Sequence, residues 1–238
     1  MSKMSKFVYM FFMLACVSGS PKTEEMPAVA PQASFDPVPV AQSESTSDHA
    51  HSSEDTSEDC SEVLVLPSLP KGSKVMLIGD SLAVGMSREF KRIAKIAGYV
   101  PITHTKVGSS TPQWLKWVNE DLRIHKPQLV VVSLGTNDAA GYRMVEKDPE
   151  MYRRLVDTVL EADAFVVWIG PPAIKLKRLP KIEEVRKIIK EAVPIYYPSE
   201  DLALRLEDGI HTNAEGYARW ARSVWRQMSD MMITYDFE

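Results

Sequence analysis

From residue 74 onward, short apolar runs alternate with segments whose apolar residues recur every three to four positions. That alternation constrains the fold more than any other feature of the sequence. Residues 74–78 (KVMLI), 129–134 (LVVVSL) and 164–169 (AFVVWI) are near-continuous apolar runs, as expected of strands covered on both faces. Residues 100–102 (VPI) begin another strand, whose proline suits an edge position, and 193–197 (VPIYY) read as a short last strand. Between them, Met86, Phe90, Ile93 and Ala97 fall at helical spacing, with Arg88, Lys91, Arg92 and Lys95 on the opposite face. Trp114, Leu115, Val118 and Leu122 mark a second helix, and residues 150–161 and 182–192 two more. The last helix opens on Thr212-Asn213-Ala214-Glu215, which has the form of a capping box, and carries the stripe Tyr217, Trp220, Ala221, Val224, Met228. Five strands alternating with helices predict an α/β fold: a three-layer α/β/α sandwich around a five-stranded parallel sheet.

The first 62 residues are a different polymer. Lys3 and Lys6 precede a nine-residue apolar stretch, residues 7–15, which ends at Cys16. A basic start followed by a short apolar core is the build of an export signal, too short to be a stable membrane span. Met13-Leu14-Ala15-Cys16 resembles a bacterial lipobox, so Cys16 is the candidate lipidation site; plain secretion and an uncleaved anchor are the other outcomes. Residues 17–62 hold five prolines, a serine-rich run and ten acids against the single Lys22. With few large apolar groups and a net charge of −9, this segment predicts a disordered, self-repelling tether. The expected organisation is therefore a signal at 1–16, an acidic Pro/Ser-rich linker at 17–62 and one folded domain at 63–238, exported to the cell envelope.

Composition excludes several functions. No apolar run reaches the roughly 18 residues of a spanning helix, which rules out a polytopic membrane protein. The two cysteines, Cys16 and Cys60, both precede the domain, so no disulfide framework holds it. Clustered Cys or His is absent from the domain, and no metal or cofactor is implied. A net charge of +3 over residues 63–238, without a concentrated basic stripe, argues against nucleic acid as a partner.

In an open parallel sheet, ligands collect at the carboxyl ends of the strands. Those ends read Gly79-Asp80-Ser81-Leu82, Lys106-Val107-Gly108-Ser109, Gly135-Thr136-Asn137-Asp138 and, after the last strand, Asp208-Gly209-Ile210-His211. Ser81 stands at a strand-to-helix junction, where its N–H is free and the helix dipole favours negative charge. Gly108 has no side chain to block its amide, Asn137 carries a neutral donor, and Asp208 and His211 bring a carboxylate and an imidazole from one loop.

These four blocks, in this order, resemble the SGNH (GDSL) hydrolase family, and they span nearly the whole domain. The resemblance implies a sheet ordered 2-1-3-4-5 and an ester substrate attacked by Ser81, with His211 as base and Asp208 orienting the imidazole. It assigns the oxyanion hole to the Ser81 and Gly108 N–H groups and the Asn137 amide. Asp80 and Asp138 are expected to serve as structural hydrogen-bond partners, and Trp114 as helix packing at the border of the cleft. Among activities, removal of O-acetyl groups from carbohydrate or peptidoglycan fits an exported, tethered enzyme best. Lysophospholipase or thioesterase action on long acyl chains, O-acetyl transfer and a non-catalytic surface-binding domain are the alternatives. The basic run around Lys175, Lys177 and Arg178 is either a solvated charge run or a face for an anionic or sugar-rich polymer.

Overall fold

A computed structural model describes residues 66–175 and 177–233. Cys16, the export signal and the acidic linker lie outside the described residues. The chain runs β1 (Leu66–Pro67), β2 (Lys74–Gly79), α1 (Ser81–Ile96), β3 (Val100–Thr105), α2 (Thr111–His125), β4 (Leu129–Ser133), α3 (Thr136–Ala140), α4 (Tyr142–Lys147) and α5 (Met151–Leu160). It continues through β5 (Phe165–Ile169), α6 (Ile182–Ala192), β6 (Tyr196–Tyr197), α7 (Ala214–Met231) and β7 (Met232–Ile233).

The main sheet is five-stranded and entirely parallel, in the order β3-β2-β4-β5-β6. Counted within this sheet, that is the order 2-1-3-4-5. Pro101 sits on β3, the edge strand, where a missing N–H costs no interior ladder bond.

The apolar runs are continuous because each strand serves two cores. Met76, Ile78, Val130, Val132, Val166 and Trp168 point to one face and pack with α2, α5 and α6. Their neighbours Val75, Leu77, Leu129, Val131, Val167 and Ile169 point to the other and pack with α1 and α7. Side chains alternate across a strand, so burial of both faces removes any polar alternation. Tyr217, Trp220, Ala221, Val224 and Met228 are all buried, as the α7 stripe predicts.

The structure departs from the sequence reading in four places. In α1, Leu82, Ala83 and Ala94 join Met86 and Phe90 in the core, while Ile93 is half-buried and Ala97 is the C-cap. The predicted capping box does not form as written: Asn213, not Thr212, caps α7, its Oδ1 accepting the Gly216 N–H at 2.9 Å. Thr212 is instead buried. Residues 136–147, where the periodicity marks no element, form the short helices α3 and α4. Finally, β1 and β7 pair as a separate two-stranded parallel ribbon that no alternation announced.

Candidate active site

The carboxyl edge of the sheet is built from β2 outward. Gly79 ends the strand at φ +152°, a conformation that favours glycine, and a Cβ there would overlap the Ser133 carbonyl of β4. The close approach lets the Asp80 N–H donate to Ser133 O at 3.2 Å. Asp80 then caps α1, its Oδ1 accepting the Leu82 N–H at 2.9 Å, and Ser81 becomes the first helical residue. Among the described residues the Ser81 N–H has no acceptor, as expected at the first position of a helix.

Ser81, Asp208 and His211 come together. Ser81 Oγ lies 2.8 Å from His211 Nε2 across 130 residues of sequence. On the far side of the ring, His211 Nδ1 is 2.7 Å from Asp208 Oδ2. Asp208 Oδ1 accepts the backbone N–H of His211 at 2.7 Å and of Ile210 at 2.9 Å. Those backbone donors, the imidazole with them, hold the Asp208 carboxyl well below the usual carboxylate range. An ionised Asp208 accepts from Nδ1–H, which leaves Nε2 as an acceptor facing the serine hydroxyl. The site is open: the side chains of His211 and Asp208 are 40% and 56% exposed.

The donor side of the site is held by a second group of contacts. The Lys106 N–H donates to Gly79 O at 2.8 Å, fixing the loop after β3 against the turn that carries Ser81. In that loop Gly108 takes φ +74°, with open space where a Cβ would stand, and among the described residues its N–H has no acceptor. Ser109 Oγ donates to Lys106 O at 2.7 Å and accepts from Trp114 Nε1 at 2.9 Å. Asn137 Nδ2 donates to Ser109 O at 2.9 Å and, at the longer distance of 3.3 Å, to Asp80 Oδ2. Asp138 anchors α2 to this corner by accepting the Thr111 N–H at 2.9 Å and the Thr111 hydroxyl at 2.6 Å.

Asp80 and Asp138 thus take the structural roles expected of them, and both are almost fully buried. Burial pushes the Asp80 carboxyl up to about 7; the Leu82 N–H opposes this and the nearby Asp138 adds to it. Burial raises Asp138 as well, against the two Thr111 donors. Trp114 is fully buried, so it braces Ser109 and does not line a cleft. The Ser109, Trp114 and Thr111 contacts escape the sequence reading, because each pairs residues with no shared motif. Their one signal is the polar pair Ser109 and Thr111 beside Gly108. His104 pairs with Asp121 at 2.7 Å on the β3 edge. Among the described residues no group of three or more His, Cys, Asp or Glu side chains is placed to hold a metal ion.

A serine within reach of an oriented imidazole, beside free N–H groups at a helix start, is equipped for acyl transfer. Comparison with known proteins gives the same answer. The model of the GDSL-like lipase/acylhydrolase family matches residues 77–219. No curated protein sequence matches the chain. Among solved structures, a lipase/acylhydrolase from Enterococcus faecalis is similar at 22% identity and a TM-score of 0.53, covering 69% of this chain and 100% of its own. A family 3 carbohydrate esterase from Clostridium thermocellum gives 18% identity and 0.55, covering 68% and 98%. An acetyl xylan esterase from Geobacillus stearothermophilus gives 17% and 0.52, covering 69% and 99%. These likenesses carry the three-layer fold, and the family match extends over the strand ends that hold all four polar blocks. The chain belongs to the GDSL-like lipase/acylhydrolase family, the SGNH hydrolases, and is a carboxylic ester hydrolase.

Proposed function

We propose that this enzyme removes short acyl groups, acetyl foremost, from carbohydrate or peptidoglycan through an acyl-enzyme on Ser81. The contact between Ser81 Oγ and His211 Nε2 carries the mechanism. His211 takes the hydroxyl proton as the oxygen attacks the ester carbonyl, and Asp208 stabilises the imidazolium that results. The developing oxyanion is received by the N–H groups of Ser81 and Gly108. Asn137 also donates to it, through the Nδ2–H whose contact to Asp80 Oδ2 is the longer one, at 3.3 Å. His211 returns its proton to the departing alcohol. It then takes a proton from water as the water attacks the acyl-enzyme, and passes that proton to Ser81 Oγ as the acid leaves.

The openness of the triad supports a polymeric alcohol over a long acyl chain, since a long chain must be buried to contribute binding energy. The carbohydrate-esterase neighbours support the same choice. A second reading, hydrolysis of longer acyl esters, draws on Val107, which is 70% exposed beside Gly108, and on the exposed Val84 of α1. A series of p-nitrophenyl acetate, octanoate and palmitate separates the two. Highest kcat/KM on acetate is expected, and a preference for palmitate would overturn the short-acyl reading. The basic start, the apolar core and Cys16 support export and attachment to the envelope through a lipid on that cysteine. The mature protein should then lack residues 1–15 by mass and carry acyl mass on Cys16, both lost in Cys16→Ser.

A further inference from the structure

The loop that follows β5 stands beside the triad and is built to carry cations there. Its base is pinned from within: the buried guanidinium of Arg186 donates to Pro171 O at 3.0 Å and also to Pro172 O. On one side Pro171 packs against Gly135, next to the Asn137 corner, with its Cγ 3.0 Å from where a Cβ would stand. On the other side the Arg178 side chain lies across Gly209, its Cγ 3.1 Å and its Nε 3.3 Å from the corresponding position. Gly209 follows Asp208 and precedes His211 by two residues, so the Arg178 side chain lies against the loop that carries both. Lys175 and Lys177 share the turn, which the Arg178 N–H closes onto Lys175 O at 2.8 Å. All three side chains are exposed, and among the described residues none forms an ion pair. Asp208 forms no ion pair with them: its two oxygens accept from the His211 loop.

The geometry points to Arg178, with Lys175 and Lys177, as a carboxylate-binding rim that selects esters borne on an anionic saccharide. This rests on the short-acyl, polymer-directed reading above and names the substrate class within it. A planar guanidinium with its neighbours unpaired is suited to bind a sugar carboxylate beside the ester under attack. Exposed cations at a site act mainly by attracting and orienting a charged ligand, an effect that salt weakens.

The test compares O-acetylated polygalacturonate with the same polymer after its carboxylates are converted to amides, using the full chain and following acetate release. At low ionic strength kcat/KM should favour the charged polymer by about tenfold, and the advantage should shrink towards parity near 0.5 M salt. Arg178→Gln should cut the advantage by about fivefold, the scale of one exposed ion pair, and Lys175→Gln with Lys177→Gln should remove much of the rest. Equal rates on the two polymers would overturn the rim while leaving the short-acyl reading intact, as would an advantage that survives both salt and Arg178→Gln. Turnover of p-nitrophenyl acetate without acetate release from either polymer would overturn the polymer reading and the rim together.

Discussion

At the scale of single residues, three distances organise the chemistry, 2.8 Å from Ser81 to His211, 2.7 Å from His211 to Asp208, and 2.9 Å from Asn137 to Ser109. Ser81→Ala removes the proposed nucleophile and should lower kcat on p-nitrophenyl acetate by about 10⁴-fold or more, leaving only what binding and the oxyanion donors supply. Asn137→Ala should cost about 10²–10³ in kcat with a smaller change in KM, as expected of a donor used chiefly in the transition state. Asp80 makes a different kind of prediction. Its carboxyl is raised from 3.8 to about 7 in the fold, so the folded state holds a proton that the unfolded chain has released. Stability should therefore fall as pH rises from about 4 to about 7, and level off above that. Asparagine keeps the cap on Leu82 but cannot ionise, so thermal melts of Asp80→Asn should lack this decline. A stability curve with the same slope in both proteins would remove Asp80 as its cause.

At the scale of elements, periodicity proved most informative where packing is densest. The α6 bounds match the predicted segment, residues 182–192, and the α7 stripe is buried throughout. The short helices α3 and α4 and the two-residue strands β1 and β7 were not legible, since none is long enough to display a helical period or an apolar run. Their form is set by neighbours: Asp138 of α3 is held by Thr111 of α2, and β1 exists only where β7 passes. The missed cap at Asn213 is a choice between adjacent residues that both can cap, and burial of Thr212 decides it. Two elements join visibly at Glu89. It accepts from Arg92 on α1 and from Arg222 on α7, and its carboxyl is pulled down to about 2, chiefly by Arg92. Glu89→Gln should lower stability modestly at neutral pH, with the difference from wild type vanishing as pH falls from about 4.5 to about 2. Gly79→Ala should be far worse, because its Cβ meets the backbone of the central strand β4. A loss of several kcal/mol is expected in urea unfolding.

At the scale of the whole molecule, the sheet brings residues 81 and 211 into one hydrogen bond by winding both to the same edge. The architecture was legible because doubly covered strands leave an unmistakable apolar signature, and Ser81, Asp208 and His211 because four polar blocks in order resemble those of one family. Of what braces the site, the structural roles of Asp80 and Asp138 were legible and the partners they hold were not. Ser109, Trp114, Asp138 and Thr111 meet only through the crossing of α2 over the sheet edge, and Arg178 reaches Gly209 only through the course of the β5 loop. The two cysteines lie at positions 16 and 60, so reductant should leave the melting temperature of the folded domain unchanged. The central claim, that Ser81 is the nucleophile activated by His211, is tested most directly by mass spectrometry of the full chain after reaction with a fluorophosphonate ester. The account predicts one adduct, located on Ser81 and lost in both Ser81→Ala and His211→Ala; an adduct on another residue, or undiminished labelling without the imidazole, would contradict it.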